Sequence, residues 1–215
     1  GEFVLPSGVS YTFAGNYENQ LRAQQTLSIV LPVSLFVIFL ILYLQFSSVM
    51  TTLIVFSGIA VAWSGGFLII WFYNMSGFLD FAVLGANLRE LFQVGPINMS
   101  VAIWVGFLAL FGIATDNGVV TATYLDQTMA RNQAGSKSEI RQLVVEGASR
   151  RIRPALMTTA TTLIALIPVL TSTGRGSDIM VPMAIPSFGG MLVAIITTLL
   201  VPVLYCAVRE NSRSA

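Results

Sequence analysis

The chain of 215 residues is 55% hydrophobic and only 10% charged, with a mean hydropathy of +0.79, whereas a soluble domain carries about 25% charged residues. This excludes an ordinary water-soluble domain and marks an integral membrane protein, and a net charge of +1 gives no case for nucleic acid as a partner. One cysteine, Cys206, excludes an internal disulfide framework, and the absence of histidine removes His-based catalytic triads and His-containing zinc sites.

The first 25 residues are polar enough for water. Val9, Tyr11 and Phe13 alternate with polar neighbours as in a strand after a turn at Pro6-Ser-Gly8, and Asn16 to Gln25 reads as a helical lead-in carrying Glu18 and Arg22. This arm, 1–25, is expected to be the end of a soluble domain of a longer polypeptide, with a disordered tail as the alternative. Five apolar segments follow, at about 26–44, 51–73, 99–124, 154–171 and 180–208. Each approaches the roughly 20 residues needed to cross a hydrocarbon core of ~30 Å. The expected fold is an all-α membrane protein of five transmembrane helices with surface amphipathic helices. Prolines at 32, 168, 182, 186 and 202 are tolerated where neighbours satisfy the freed carbonyls, and Gly65-Gly66 and Gly189-Gly190 are expected points of close helix contact.

The insert 74–98 is too polar to cross, yet Phe78, Phe81, Leu84, Leu88, Leu91 and Phe92 recur near a helical period, with charge from Asp80, Arg89 and Glu90. It reads as an amphipathic helix on the membrane surface ended by Gly95-Pro96, or alternatively as a solvent loop. A second surface helix is expected over 136–151, opened by a capping box of Ser136 and Glu139 and carrying Ile140, Leu143, Val144 and Ala148 at helical spacing. Lysine and arginine set the orientation. Eight of the eleven basic residues fall between the third and fourth spans or after the fifth, and the other three, Arg22, Arg89 and Arg175, lie on the opposite side. The positive-inside rule then makes Asp126 to Arg153 and the tail 209–215 cytoplasmic and places the N-terminal arm outside.

One carboxylate, Asp116, lies inside the third span. At a helix centre an aspartate costs roughly 2.5–3.5 kcal/mol to insert, so it normally faces a bundle interior and marks an ion or proton path. Ala109, Gly112, Asp116, Val119 and Thr123 form a mostly small stripe expected to meet neighbouring helices, with Leu108 and Phe111 opposite it toward lipid. Asp116 lies eight residues before Tyr124 and Thr158 seven after Arg151, which puts both roughly 10–12 Å in from the cytoplasmic end. Thr158, Thr162 and Ala165 share one partly polar face that could hydrogen-bond Asp116 directly or through water, or could bond only its own helix carbonyls. Burial favours the neutral acid and hydration or a nearby cation favours the carboxylate, so the site is poised to load and release a proton; a structural aspartate paired to an unseen lysine is the competing account. No nucleophile and base pair can be assembled, so an enzyme is not expected.

Several ordered stretches resemble one family. Gly112-Ile-Ala-Thr-Asp-Asn-Gly-Val-Val120, Arg151-Ile-Arg-Pro-Ala-Leu-Met-Thr158, Thr173-Gly-Arg-Gly-Ser-Asp-Ile-Met180 and Gly189-Gly-Met191 are similar to the C-terminal membrane half of resistance-nodulation-division (RND) efflux pumps. Leu5 to Gln20 resembles the segment before the eighth spanning helix in the heavy-metal branch. The resemblance implies the last five of twelve spans of a homotrimeric inner-membrane proton antiporter, powered by the proton gradient with no bound cofactor, and working with a periplasmic adaptor and an outer-membrane channel. It also implies a relay role for Asp116 and Thr158, to which the adjacent Asn117 and Thr162 are added as candidates. The chain departs from copper and silver exporters at Ala155, where they carry a relay lysine. A relay partner must then come from elsewhere in the protein. The implied substrate is a heavy-metal cation such as copper or silver, for which Met157, Met180, Met183 and Met191 are candidate soft ligands, or alternatively simple filler. A drug exporter of the same superfamily and a non-transporting sensor or assembly subunit are the alternatives.

Overall fold

A computed structural model describes residues 16–83, 85–132 and 137–212. The expected strand at Val9 to Phe13 and the capping serine, Ser136, lie outside the described residues. The described elements are α1 (Asn16–Phe46), α2 (Val49–Tyr73), β1 (Ala82–Val83), β2 (Ala86–Asn87), α3 (Leu88–Leu91), α4 (Val101–Arg131), α5 (Lys137–Leu170) and α6 (Ser177–Ser212). Five of them, α1, α2, α4, α5 and α6, are long and apolar enough to cross a membrane. The fold is therefore the all-α membrane bundle expected, with, among the described residues, only a short antiparallel hairpin of two-residue strands besides.

Local chemistry explains where the helices turn. Ser47 adopts a left-handed conformation (φ 50°) and its N–H donates to Tyr43 O at 2.8 Å, which ends α1. Ser48 then caps α2, its side-chain oxygen accepting from the Thr51 N–H at 3.4 Å. At the other end Asn74 stops α2, its amide donating to Ile70 O at 2.9 Å while its Oδ1 accepts the Ile97 N–H at 3.2 Å. That second bond folds the 74–98 insert back onto the bundle. The insert is not the amphipathic helix expected: it holds a hairpin closed at Gly85 (φ 84°) and the four-residue α3. The Arg89 guanidinium donates to the carbonyls of Met75 and Ser76 and so ties α3 to the end of α2.

A second difference concerns α5. The expected surface helix 136–151 and span 154–171 are one continuous helix that runs through Pro154. A proline frees a single carbonyl, here that of Arg150, at a solvent-accessible turn where water can satisfy it. Likewise α6 continues through 209–212, so most of the expected tail is helical.

The core is formed by α2, α4 and α6. Ile59, Ala62, Phe107, Leu110, Phe111, Ile185, Met191 and Ala194 are each no more than 2% exposed. Within lipid there is no hydrophobic drive to bring helices together, so close packing and interhelical hydrogen bonds hold them. Small residues allow that approach, as the expected glycine contacts show: a Cβ on Gly65 would meet Gly189 O at 2.8 Å. The Ser187 hydroxyl crosses from α6 to donate to Gly106 O of α4 at 3.1 Å. By contrast, only 6% of the most apolar window of α1 and 11% of that of α5 are buried, against 44% in α2 and α4. Both helices therefore leave broad apolar faces open.

Candidate functional site

Helical periodicity divides α4 into two faces. Ile103, Phe107, Leu110, Phe111, Ala114, Ala122 and Leu125 are buried against the neighbouring helices, chiefly α2 and α6. Half a turn round the helix, Val105, Ala109, Gly112 and Asp116 are exposed. This reverses one expectation: Phe111, assigned to lipid, is 1% exposed, and the small stripe with Asp116 points out of the five-helix bundle. In lipid both faces of a spanning helix are apolar, and bulky aromatic residues serve a tight interior as well as they serve a hydrocarbon boundary. Trp63, Phe67, Phe107 and Phe111 show this, their rings packed with centroids 4.6–5.9 Å apart.

The candidate relay residues are not joined by direct bonds. Thr158 is exposed, and its hydroxyl donates to Pro154 O at 3.2 Å and Ala155 O at 3.0 Å of its own helix. The Thr162 hydroxyl donates to Thr158 O at 2.9 Å. Both threonine hydroxyls therefore donate to carbonyls of their own helix. Asn117 is half-buried, and its backbone carbonyl accepts the Thr121 hydroxyl at 2.8 Å. The methionines do not form one cluster. Met157 and Met180 are 65% and 52% exposed, Met183 lies at the surface, and Met191 is buried in the core. Among the described residues no group of three or more His, Cys, Asp or Glu side chains is arranged to hold a metal ion.

A polar cluster that sequence reasoning missed closes the end of the bundle away from the insert. The Tyr205 hydroxyl donates to Asp126 Oδ1, linking α6 to α4, and accepts from Arg209 Nε at 3.2 Å; Arg209 Nη2 also reaches Asp126 Oδ1 at 3.4 Å. On the other side of α6, Glu210 accepts a two-pronged bond from Arg141 of α5, at 2.6 and 3.1 Å. Tyr205→Phe is expected to leave the partly buried Asp126 short of a donor and to cost about 1–3 kcal/mol. A lowered unfolding midpoint of the full-length protein would report it, with Arg141→Ala having the smaller effect because its partnership is exposed.

Known proteins share this fold. The model of the AcrB/AcrD/AcrF family matches residues 1–85 and 75–209. The chain belongs to this family, that of the RND efflux pumps. The cation efflux system protein CusA of Escherichia coli K12 is 32% identical over 94% of this chain, and the cobalt-zinc-cadmium resistance protein CzcA of Cupriavidus metallidurans is 32% identical over 98%. A crystal structure of a heavy metal efflux pump superposes over 94% of the chain with a TM-score of 0.67 at 28% identity. This RND chain spans 18% of the length of CusA and 17% of that of CzcA. It is thus a multi-pass inner-membrane segment of the heavy-metal branch, and its relatives are transporters rather than enzymes.

Proposed function

We propose that this chain forms the C-terminal membrane portion of a proton-driven exporter of heavy-metal cations, with Asp116 as the group that takes up and releases H⁺. The observation that carries the reading is the position of Asp116: a carboxylate within a span, on an exposed line of small residues and opposite the packed core. Facing lipid, it would carry an insertion penalty of roughly 2.5–3.5 kcal/mol. Ala109 and Gly112 beside it present little surface to hydrocarbon and instead let another helix backbone approach. The stripe is therefore a docking face for helices outside these five, and the relay is completed between the two halves of the pump. Asn117 follows Asp116 in the chain, and its amide and the hydroxyls of Thr158 and Thr162 would join the relay through water once that second half is in place.

The whole pump is proposed to be a homotrimer engaging a periplasmic adaptor and an outer-membrane channel, with the N-terminal arm periplasmic and the C-terminus cytoplasmic. Equal identity to a cation efflux protein and to a cobalt-zinc-cadmium resistance protein leaves the choice of cation open. The exposed thioethers of Met157, Met180 and Met183 would suit monovalent copper or silver. Expression of the full-length gene in a metal-sensitive host, challenged in parallel with silver, copper, zinc, cobalt and a cationic dye, tests the reading. Resistance to metals and not to dye is the expected result; resistance to dye alone would place the protein among drug exporters.

A further inference from the structure

We propose that the polar cleft between the last turns of α4 and the first half of α5 is the cytoplasmic mouth of a water-filled path to Asp116, with Thr123 and Gln127 as its rungs. The proposal rests on Asp116 carrying the proton. The cleft has a volume of about 320 Å³ and is lined by Tyr124, Gln127 and Arg131 of α4 and by Glu146 and Arg150 of α5, among others. At ~30 Å³ per water it holds on the order of ten molecules, and these side chains offer them donors and acceptors. The larger groove between α5 and α6, about 580 Å³, lacks this chemistry along most of its length, being lined by Val144, Val145, Ala148, Leu199 and Val203.

Register connects the cleft to Asp116. Thr123 and Gln127 lie seven and eleven residues after it, close to two and three turns, so all three fall on one line down α4 and Gln127 sits ~16 Å along the axis. Asp116 and Gln127 are exposed and Thr123 is half-exposed. In the opposite direction the same line carries Gly112, Ala109 and Val105, with no polar side chain. Val119 and Val120 occupy the turn between Asp116 and Thr123, but beyond them polar side chains lie only toward the cleft, so water ordered along this line approaches Asp116 from that end. A proton leaving the Asp116 carboxyl passes to a water of this column, leaving a carboxylate, and one H⁺ emerges to bulk solvent at the mouth. Arg131 and Arg150 outnumber the cleft's one carboxylate, Glu146, which Arg150 meets at 2.6 Å. The net positive rim repels metal cations from the proton path.

The test uses the full-length pump with native cysteines replaced, carrying Thr123→Cys, Gln127→Cys or Ala109→Cys singly, in membranes whose cytoplasmic face is open to a membrane-impermeant, negatively charged sulfonatoethyl methanethiosulfonate, which the positive rim admits. Labelling at 127 and 123 but not at 109 is expected. In parallel, Gln127→Leu should lower the maximal rate of proton-driven transport at least about tenfold with the metal KM unchanged, and Gln127→Asn should restore much of it. Absence of label at 123 and 127 in transporting protein, or an unchanged rate in Gln127→Leu, overturns the path. Retained coupling in Asp116→Asn overturns the relay and this path with it, whereas an inactive Asp116→Asn with unlabelled Thr123→Cys and Gln127→Cys overturns the path alone.

Discussion

Replacing Asp116 with asparagine in the full-length pump is expected to abolish proton-coupled export, lowering it by about 100-fold or more, the lower end of what a positioned proton-transfer group contributes. Asparagine matches the shape of the protonated acid and keeps hydrogen-bonding capacity, but it cannot change charge. Folding should survive, because Asp116 lies on the exposed face of this bundle and a neutral amide is cheaper to place in a membrane than a carboxylate. Proteoliposomes with an imposed pH gradient separate the two effects: metal binding and trimer yield should be retained while H⁺ flux and metal uptake vanish together. Asp116→Glu should retain partial coupling, since it keeps the titrating group on a longer arm. Wild-type coupled flux in the asparagine variant would show that the carboxylate is structural.

The number of spans and the presence of a carboxylate within one of them were legible in the sequence because each depends on one strong local signal, a long apolar run or a charge within it. The direction in which each helix faces was not. In water an apolar stripe marks the core, but from Val101 to Ala114 of α4 no residue is polar, and only the size of the residues distinguishes the Phe107–Phe111 face from the Ala109–Gly112 face. The small residues Ala109 and Gly112 are exposed in this bundle, so size alone did not tell which helices they meet. The 74–98 insert misled for a different reason. Its helical period is real, but Gly77 and Gly85 interrupt it, and the Asn74 bond to Ile97 closes the segment into a loop before a helix can propagate. The cluster of Asp126, Tyr205 and Arg209 joins residues 79 and 83 positions apart, a pairing that no local pattern announces.

Gly189→Val and Gly65→Val are each expected to separate α6 from α2, with losses at or above the upper end of the about 1–3 kcal/mol typical of overpacking. The two backbones touch at this point. A Cβ on Gly189 would stand 2.7 Å from Gly65 O and press into the Ile69 side chain, and one on Gly65 would stand 2.6 Å from Val193 Cβ. A side chain can rotate away from such a clash, but a helix carbonyl cannot move without moving its helix. Gly174→Ala, where an added Cβ meets nothing within 4 Å, provides the control and should leave the unfolding midpoint of the full-length pump unchanged. The damage should also reach transport. The Ser187 hydroxyl bonds α6 to Gly106 O of α4, and Phe107 packs against Trp63 and Phe67 of α2. Wedging α2 from α6 therefore shifts the core face of α4, and with it the orientation of Asp116 on the opposite side of the same rigid helix.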